Sequence, residues 1–163
     1  MEKKSIKLLS GGISVATKNS KCISNINVAI IIPYRKRLDH LKIFLNNLHT
    51  FLVKQKINYG IYVVEQSGKD QFNRGMLFNI GFMEAINDQF LNYPFLNYDC
   101  FIFHDVDFIP ANNLNLYRCN QQYPLHLSSS PEQRKNWKLD LYWGGVYAVT
   151  KEQYLKLNGH SNL

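Results

Sequence analysis

The apolar run "VAIIIP" (28–33) is continuous, β-branched and stopped by proline, the signature of a strand buried on both faces. Leu38, Leu41, Leu45, Leu48 and Leu52 follow at spacings of three and four, which predicts a helix with one apolar stripe. "YGIYVVEQ" (59–66) reads as a second strand, "MLFNIGFMEAI" (76–86) as a second helix and "CFIFHD" (100–105) as a third strand. "WGGVYAVT" (143–150) gives a further strand, and "KEQYLKL" (151–157) a helix ended by "NGH". The β-α-β-α-β alternation predicts an α/β sandwich with a mainly parallel central sheet. Residues 1–24, rich in Lys, Ser and Gly, are expected to form a mobile lead-in, and residues 25–163 one domain.

In open sheets of this kind ligands bind beyond the carboxyl ends of the strands. Three polar clusters fall at that edge: "PYRKR", "EQSGKDQFNR" and the "DVD" of "FIFHDVDFIP". Asp105 and Asp107 are two positions apart, so in extended chain both carboxylates point to one side. Two carboxylates ending a buried strand are costly to desolvate. Hard oxygen ligands of this type suit Mg²⁺ or Mn²⁺ bridging to phosphate, although a D-x-D pair also occurs in ordinary turns and caps. Arg35, Arg37 and Arg74 at neighbouring strand ends favour the phosphate reading, because the guanidinium fork grips phosphate in two places. Phe72 offers an aromatic wall for a base or, equally, a core side chain. Together these describe a nucleotide-diphosphate site, with neither a phosphate-cradling P-loop nor a GxGxxG fingerprint.

The 163 residues carry a net charge of +7, with pI near 9.3, which points to an anionic partner or a solvated basic surface. The basic residues form no stripe with interleaved aromatics, so nucleic acid is not expected as a partner. No stretch reaches the ~18 apolar residues of a membrane span, and "LLSGGISVA" is too short and glycine-rich for a clear signal peptide. Cys22, Cys100 and Cys119 show no CxxC spacing. They allow one disulfide and a leftover thiol, or three free thiols.

Taken in order, "VAIIIPYRKRLDHLKIFLNNLH", "YGIYVVEQ", "FNRGMLFNIGFMEA", "CFIFHDVDFIP", "YRC" and "YWGGVYAVTKEQYLKLNG" closely resemble the β-1,4-galactosyltransferase family. The likeness runs from about Cys22 to Gly159. It implies a nucleotide-diphospho-sugar transferase (GT-A-like) fold and a UDP-galactose donor. It also implies Mn²⁺ and inverting transfer to a terminal N-acetylglucosamine of a glycan. By the same resemblance, UDP would be bound by Pro33, Arg35 and Arg37, by Phe72, Asn73 and Arg74, and by Val106 and Asp107. Asp107 would be the metal ligand, with Asp105 supporting. Gly145 would line the acceptor site, and Tyr142 would crowd the donor pocket in favour of galactose. Cys100 and Cys119 would form a disulfide, with Cys22 unpaired, and an oxidising compartment, the Golgi lumen, would follow.

The resemblance further implies that the catalytic base, the acceptor-binding groups and a methionine and a histidine metal ligand belong to a segment beyond "NGHSNL". The chain is therefore expected to be the UDP-sugar-binding part of a truncated catalytic domain, without the membrane anchor. Its activity is set against the alternative of a catalytically inactive chain that at most binds UDP-sugar or a partner. A xylose acceptor is a second alternative, against which "YRC" and the Cys100 pair favour N-acetylglucosamine. His104 and Asp140, the other acids or bases near the clusters, are expected to be structural.

Overall fold

The computed structural model describes residues 7–9, 13–15, 26–87, 97–128 and 144–161. Its elements are β1 (Lys7–Leu9), β2 (Ile13–Val15), β3 (Asn27–Tyr34), α1 (Leu38–Gln55), β4 (Asn58–Glu65), α2 (Arg74–Asn87), β5 (Cys100–His104), β6 (Leu125–His126), β7 (Val146–Val149) and α3 (Lys151–Lys156). They build one seven-stranded sheet in the order β1-β2-β4-β3-β5-β7-β6.

The sheet is parallel at its centre, where β3 pairs with β4 on one side and β5 on the other. Both flanks are antiparallel. The central parallel pairs are joined through helices, as parallel neighbours must be, whereas β7 lies antiparallel beside β5. Within the stretch expected as a lead-in, β1 and β2 form a hairpin that pairs onto β4.

β3 is buried along its length because alternate residues face two different cores. Val28, Ile30 and Ile32 pack with Phe44, Leu48, Phe51 and Leu52 of α1. Ala29 and Ile31 pack with Phe78, Phe82 and Ala85 of α2. The two helices thus cover opposite faces, and the strand order reverses at β3. That reversal opens a crevice outside the carboxyl ends of β3 and β5, the usual ligand position in such sheets.

α3 starts with a reciprocal cap: the Thr150 hydroxyl accepts from the Gln153 amide and the Gln153 side chain accepts from the Thr150 amide, which satisfies two otherwise orphaned donors. A Cys100–Cys119 disulfide, with S–S 2.09 Å, closes the chain that follows β5 onto the strand's start.

Candidate functional site

A cleft of about 290 Å³ lies at the crevice, lined by Pro33, Arg35, Arg37, Phe72, Arg74, Asp105, Val106 and Asp107. Three separate pieces of chain supply it. Pro33 ends the apolar run of β3, and the loop behind it carries both arginines. Phe72 precedes α2, of which Arg74 is the first residue. Asp105, Val106 and Asp107 follow directly on β5.

The two aspartates part company here. A turn closes over residues 105–108, with the Phe108 amide donating to the Asp105 carbonyl at 3.3 Å, so the extended geometry expected of D-x-D is replaced by a bend. Arg74 grips Asp105 with both prongs, Nε to Oδ1 at 2.6 Å and Nη2 to Oδ2 at 3.0 Å. Arg37 Nη1 donates to Asp107 Oδ2 at 3.2 Å, and the Asp107 side chain is 48% exposed. The desolvated carboxylate foreseen in the sequence is therefore compensated by arginine. Burial raises the Asp105 pKa, while the Arg74 hydrogen bond and charge pull it down.

The arginines are themselves held. Arg74 lies over the Phe78 ring at 4.5 Å and Arg35 over the Phe72 ring at 5.3 Å, cation–π contacts that fix the guanidinium planes. Arg35 Nη1 also donates to the Asp70 carbonyl. Phe72 is a cleft wall and not a core residue, being 37% exposed.

Asn73 does not line the cleft. Its side-chain oxygen accepts from the Met76 amide at 2.9 Å, capping α2, and its own amide donates to Gln66 Oε1 at 2.8 Å. The amino end of α2, where the macrodipole favours anions, thereby opens at the cleft beside Arg74. Gly145 sits behind the D-V-D turn and its carbonyl accepts from the Asp105 amide at 2.9 Å. Its φ is +81°, and a Cβ there would come within 2.5 Å of Ser128 Oγ and 2.8 Å of the Phe108 ring. Tyr142, Asp140 and Cys22 lie outside the described residues.

Other residues support the site from behind it: Gln66 and Asp70 from within the second polar cluster, His104 as the residue expected to be structural, and Ser128 with no signal in the sequence. Gln66 and Asp70 position their neighbours through one side chain and one carbonyl. Ser128 Oγ accepts from the Val146 amide at 2.9 Å and donates to the Gly144 carbonyl at 2.8 Å, which pins the glycine pair. His104 is fully buried, and desolvation lowers its pKa to about 4.

For a metal, the cleft offers one half-exposed carboxylate, Asp107, with Asp105 committed to Arg74. Among the described residues no group of three or more His, Cys, Asp or Glu is placed to hold a metal ion. This donor set fits a hard cation that takes phosphate oxygens and water as its other ligands, and does not fit one needing an all-protein cage.

The profile of the N-terminal region of glycosyl transferase group 7 matches residues 1–120. The chain is 44% identical over 145 residues to β-1,4-galactosyltransferase 4 of Cricetulus griseus, covering 87% of this chain and 39% of that protein. It is 46% identical over 143 residues to β-1,4-galactosyltransferase 1 of Bos taurus, covering 86% of this chain and 33% of that protein. It thus spans less than half the length of these curated relatives. The crystal structure of the catalytic domain of Drosophila β-1,4-galactosyltransferase 7 in complex with xylobiose superposes with a TM-score of 0.72 at 30% identity, over 84% of this chain and 54% of that one. A mutant of the same enzyme in complex with manganese, UDP-Gal and xylobiose gives a TM-score of 0.70. With the profile match, these identities and the shared fold, the chain belongs to the β-1,4-galactosyltransferase family.

Proposed function

We propose that the cleft is the donor half of a galactosyltransferase site. It would bind UDP-galactose for Mn²⁺-dependent, inverting transfer to a terminal N-acetylglucosamine. The observation that carries this reading is the convergence of Arg35, Arg37, Arg74, Phe72 and Asp107 on one crevice at the carboxyl ends of parallel strands. Phe72 offers a face for the uracil ring. Arg35 and Arg37, with the amino end of α2, meet the diphosphate. Loss of UDP from the sugar develops negative charge on the β-phosphate, and preorganised cations stabilise that charge. Asp107 would hold the metal, which when bound supplies further charge compensation as a Lewis acid. The Cys100–Cys119 disulfide supports an oxidising compartment such as the Golgi lumen.

Within the cleft both carboxylates are paired with arginine, and His104 is sealed in the core. These pairings favour, as a second reading, a chain that binds the donor without transferring it, since general-base help is worth about 10²–10⁴ in rate. Calorimetric titration of UDP and UDP-galactose, with and without Mn²⁺, tests the first reading beside Asp107→Ala. UDP binding that Mn²⁺ strengthens, with that gain lost in the variant, is the expected result. No binding under any condition overturns the donor site. Galactose transfer to an N-acetylglucosamine acceptor by the same preparation would dismiss the second reading.

A further inference from the structure

His104 closes β5 with no exposed surface, its ring 4.7 Å from that of Phe44. Both ring nitrogens are engaged. Nδ1 lies 2.8 Å from the Asp105 carbonyl oxygen, and Nε2 lies 2.6 Å from the Tyr117 hydroxyl. A carbonyl only accepts, so Nδ1 carries the hydrogen, and the tyrosine hydroxyl donates to Nε2. The Asp105 carbonyl is also the acceptor that closes the 105–108 turn. The histidine therefore grips the closing atom of the turn on which Asp107 stands.

Tyr117 is in turn fixed from three sides. It is 2% exposed, its ring meets Phe51 edge-on at 5.0 Å, and its amide donates to Gln55 Oε1 of α1 at 2.9 Å. Two residues on, Cys119 is tied to Cys100 at the start of the same strand. The Asp105 amide is held from the other side by the Gly145 carbonyl at 2.9 Å.

We infer that His104, braced by Tyr117, is a positioning residue that sets the D-V-D turn and thereby presents the Asp107 carboxylate to the cleft. Its consequence for ligand binding rests on the donor-site reading; its hold on the turn does not. Burial alone would ask only for an apolar side chain of the right size. Two directed hydrogen bonds, one of them to the turn's closing carbonyl, ask for an imidazole.

The test compares His104→Leu with His104→Asn in the full chain. Asparagine keeps a donor near the Nδ1 position and loses the Tyr117 contact, whereas leucine loses both. Amide hydrogen exchange is read by NMR at Phe108 and Asp105, whose amides donate to the Asp105 and Gly145 carbonyls. The Tyr154 amide of α3, which donates to Thr150, reports general destabilisation. In His104→Leu, exchange at Phe108 and Asp105 should rise about tenfold relative to Tyr154, the loss of one net hydrogen bond. In His104→Asn the rise should be smaller, about threefold, because the donor to the Asp105 carbonyl is retained while the Tyr117 brace is lost. UDP affinity in Mn²⁺ should follow the same ranking.

Equal exchange in parent and His104→Leu, or equal loss in both variants, overturns the inference. So does a loosened turn that leaves UDP affinity untouched, for then His104 serves the fold alone. If the parent chain binds no UDP, the donor-site reading fails, and the exchange pattern by itself decides whether His104 sets the turn.

Discussion

At the scale of single residues, the pairing that decides most is Arg74 with Asp105. The Asp105 side chain is only 22% exposed and that of Arg74 33%, so each is held partly out of water and each needs the other. Removing one partner of such a pair leaves the second charge uncompensated. Arg74→Met should therefore lower stability at neutral pH by about 2 kcal/mol, the scale of hydrogen bonds to a charged group. The pH dependence has a defined sign. Burial raises the folded-state pKa of Asp105 above its unfolded value, so the carboxyl's contribution is fully present below the unfolded pKa and is lost as pH rises through the folded one. Arg74 opposes that rise, and without it the folded pKa climbs further. The difference between parent and variant should be widest above that pKa and shrink as Asp105 becomes protonated. Thermal unfolding from neutral to acid pH measures this, and a gap independent of pH would mean that Arg74 acts through packing on Phe78 instead.

At the scale of elements, the apolar pattern carries the secondary structure well and the faces less well. The leucine spacing announces α1, yet Leu38 is 56% exposed while Phe44 and Phe51, which fall between the leucines, are buried. Leu38 is the first residue of α1, and the buried residues of the helix begin at Phe44. Leu48→Ala should cost about 2–5 kcal/mol, as for fully buried leucines, whereas Leu38→Ala should stay within about 0.5 kcal/mol. Denaturant unfolding of the two variants checks this, and comparable losses would displace α1 from the face assigned to it. The long central strands were legible because β3 and β5 are buried on both faces and so read as unbroken apolar runs. β1, β2 and β6, at three, three and two residues, are too short to show a period. The gathering of three strand-end clusters was legible from topology alone. The split of Asp105 and Asp107 between two arginines was not, since it depends on a turn at 105–108 and on partners 31 and 70 positions away.

At the scale of the whole molecule, the fold brings cations from one loop and a helix start to one crevice, and they are not equivalent there. Arg35 is anchored over Phe72 and to the Asp70 carbonyl, away from the aspartates. Arg37 is bonded to Asp107, the carboxylate proposed to hold the metal. The two arginines should then differ in how they couple to Mn²⁺. Either Arg35→Ala or Arg37→Ala should weaken metal-free UDP binding by about tenfold, the loss of a charge-assisted contact. Only Arg37→Ala should enlarge the gain in UDP affinity on adding Mn²⁺, because it frees an Asp107 oxygen and removes a repelling charge. Raising the ionic strength should weaken parent binding more than that of either variant, since these side chains are exposed to screening. Calorimetry of UDP with and without Mn²⁺ at two salt concentrations reads all of these quantities. Identical Mn²⁺ increments in the two variants would separate Arg37 from the metal site and leave its bond to Asp107 a surface ion pair of the small value usual for exposed charges.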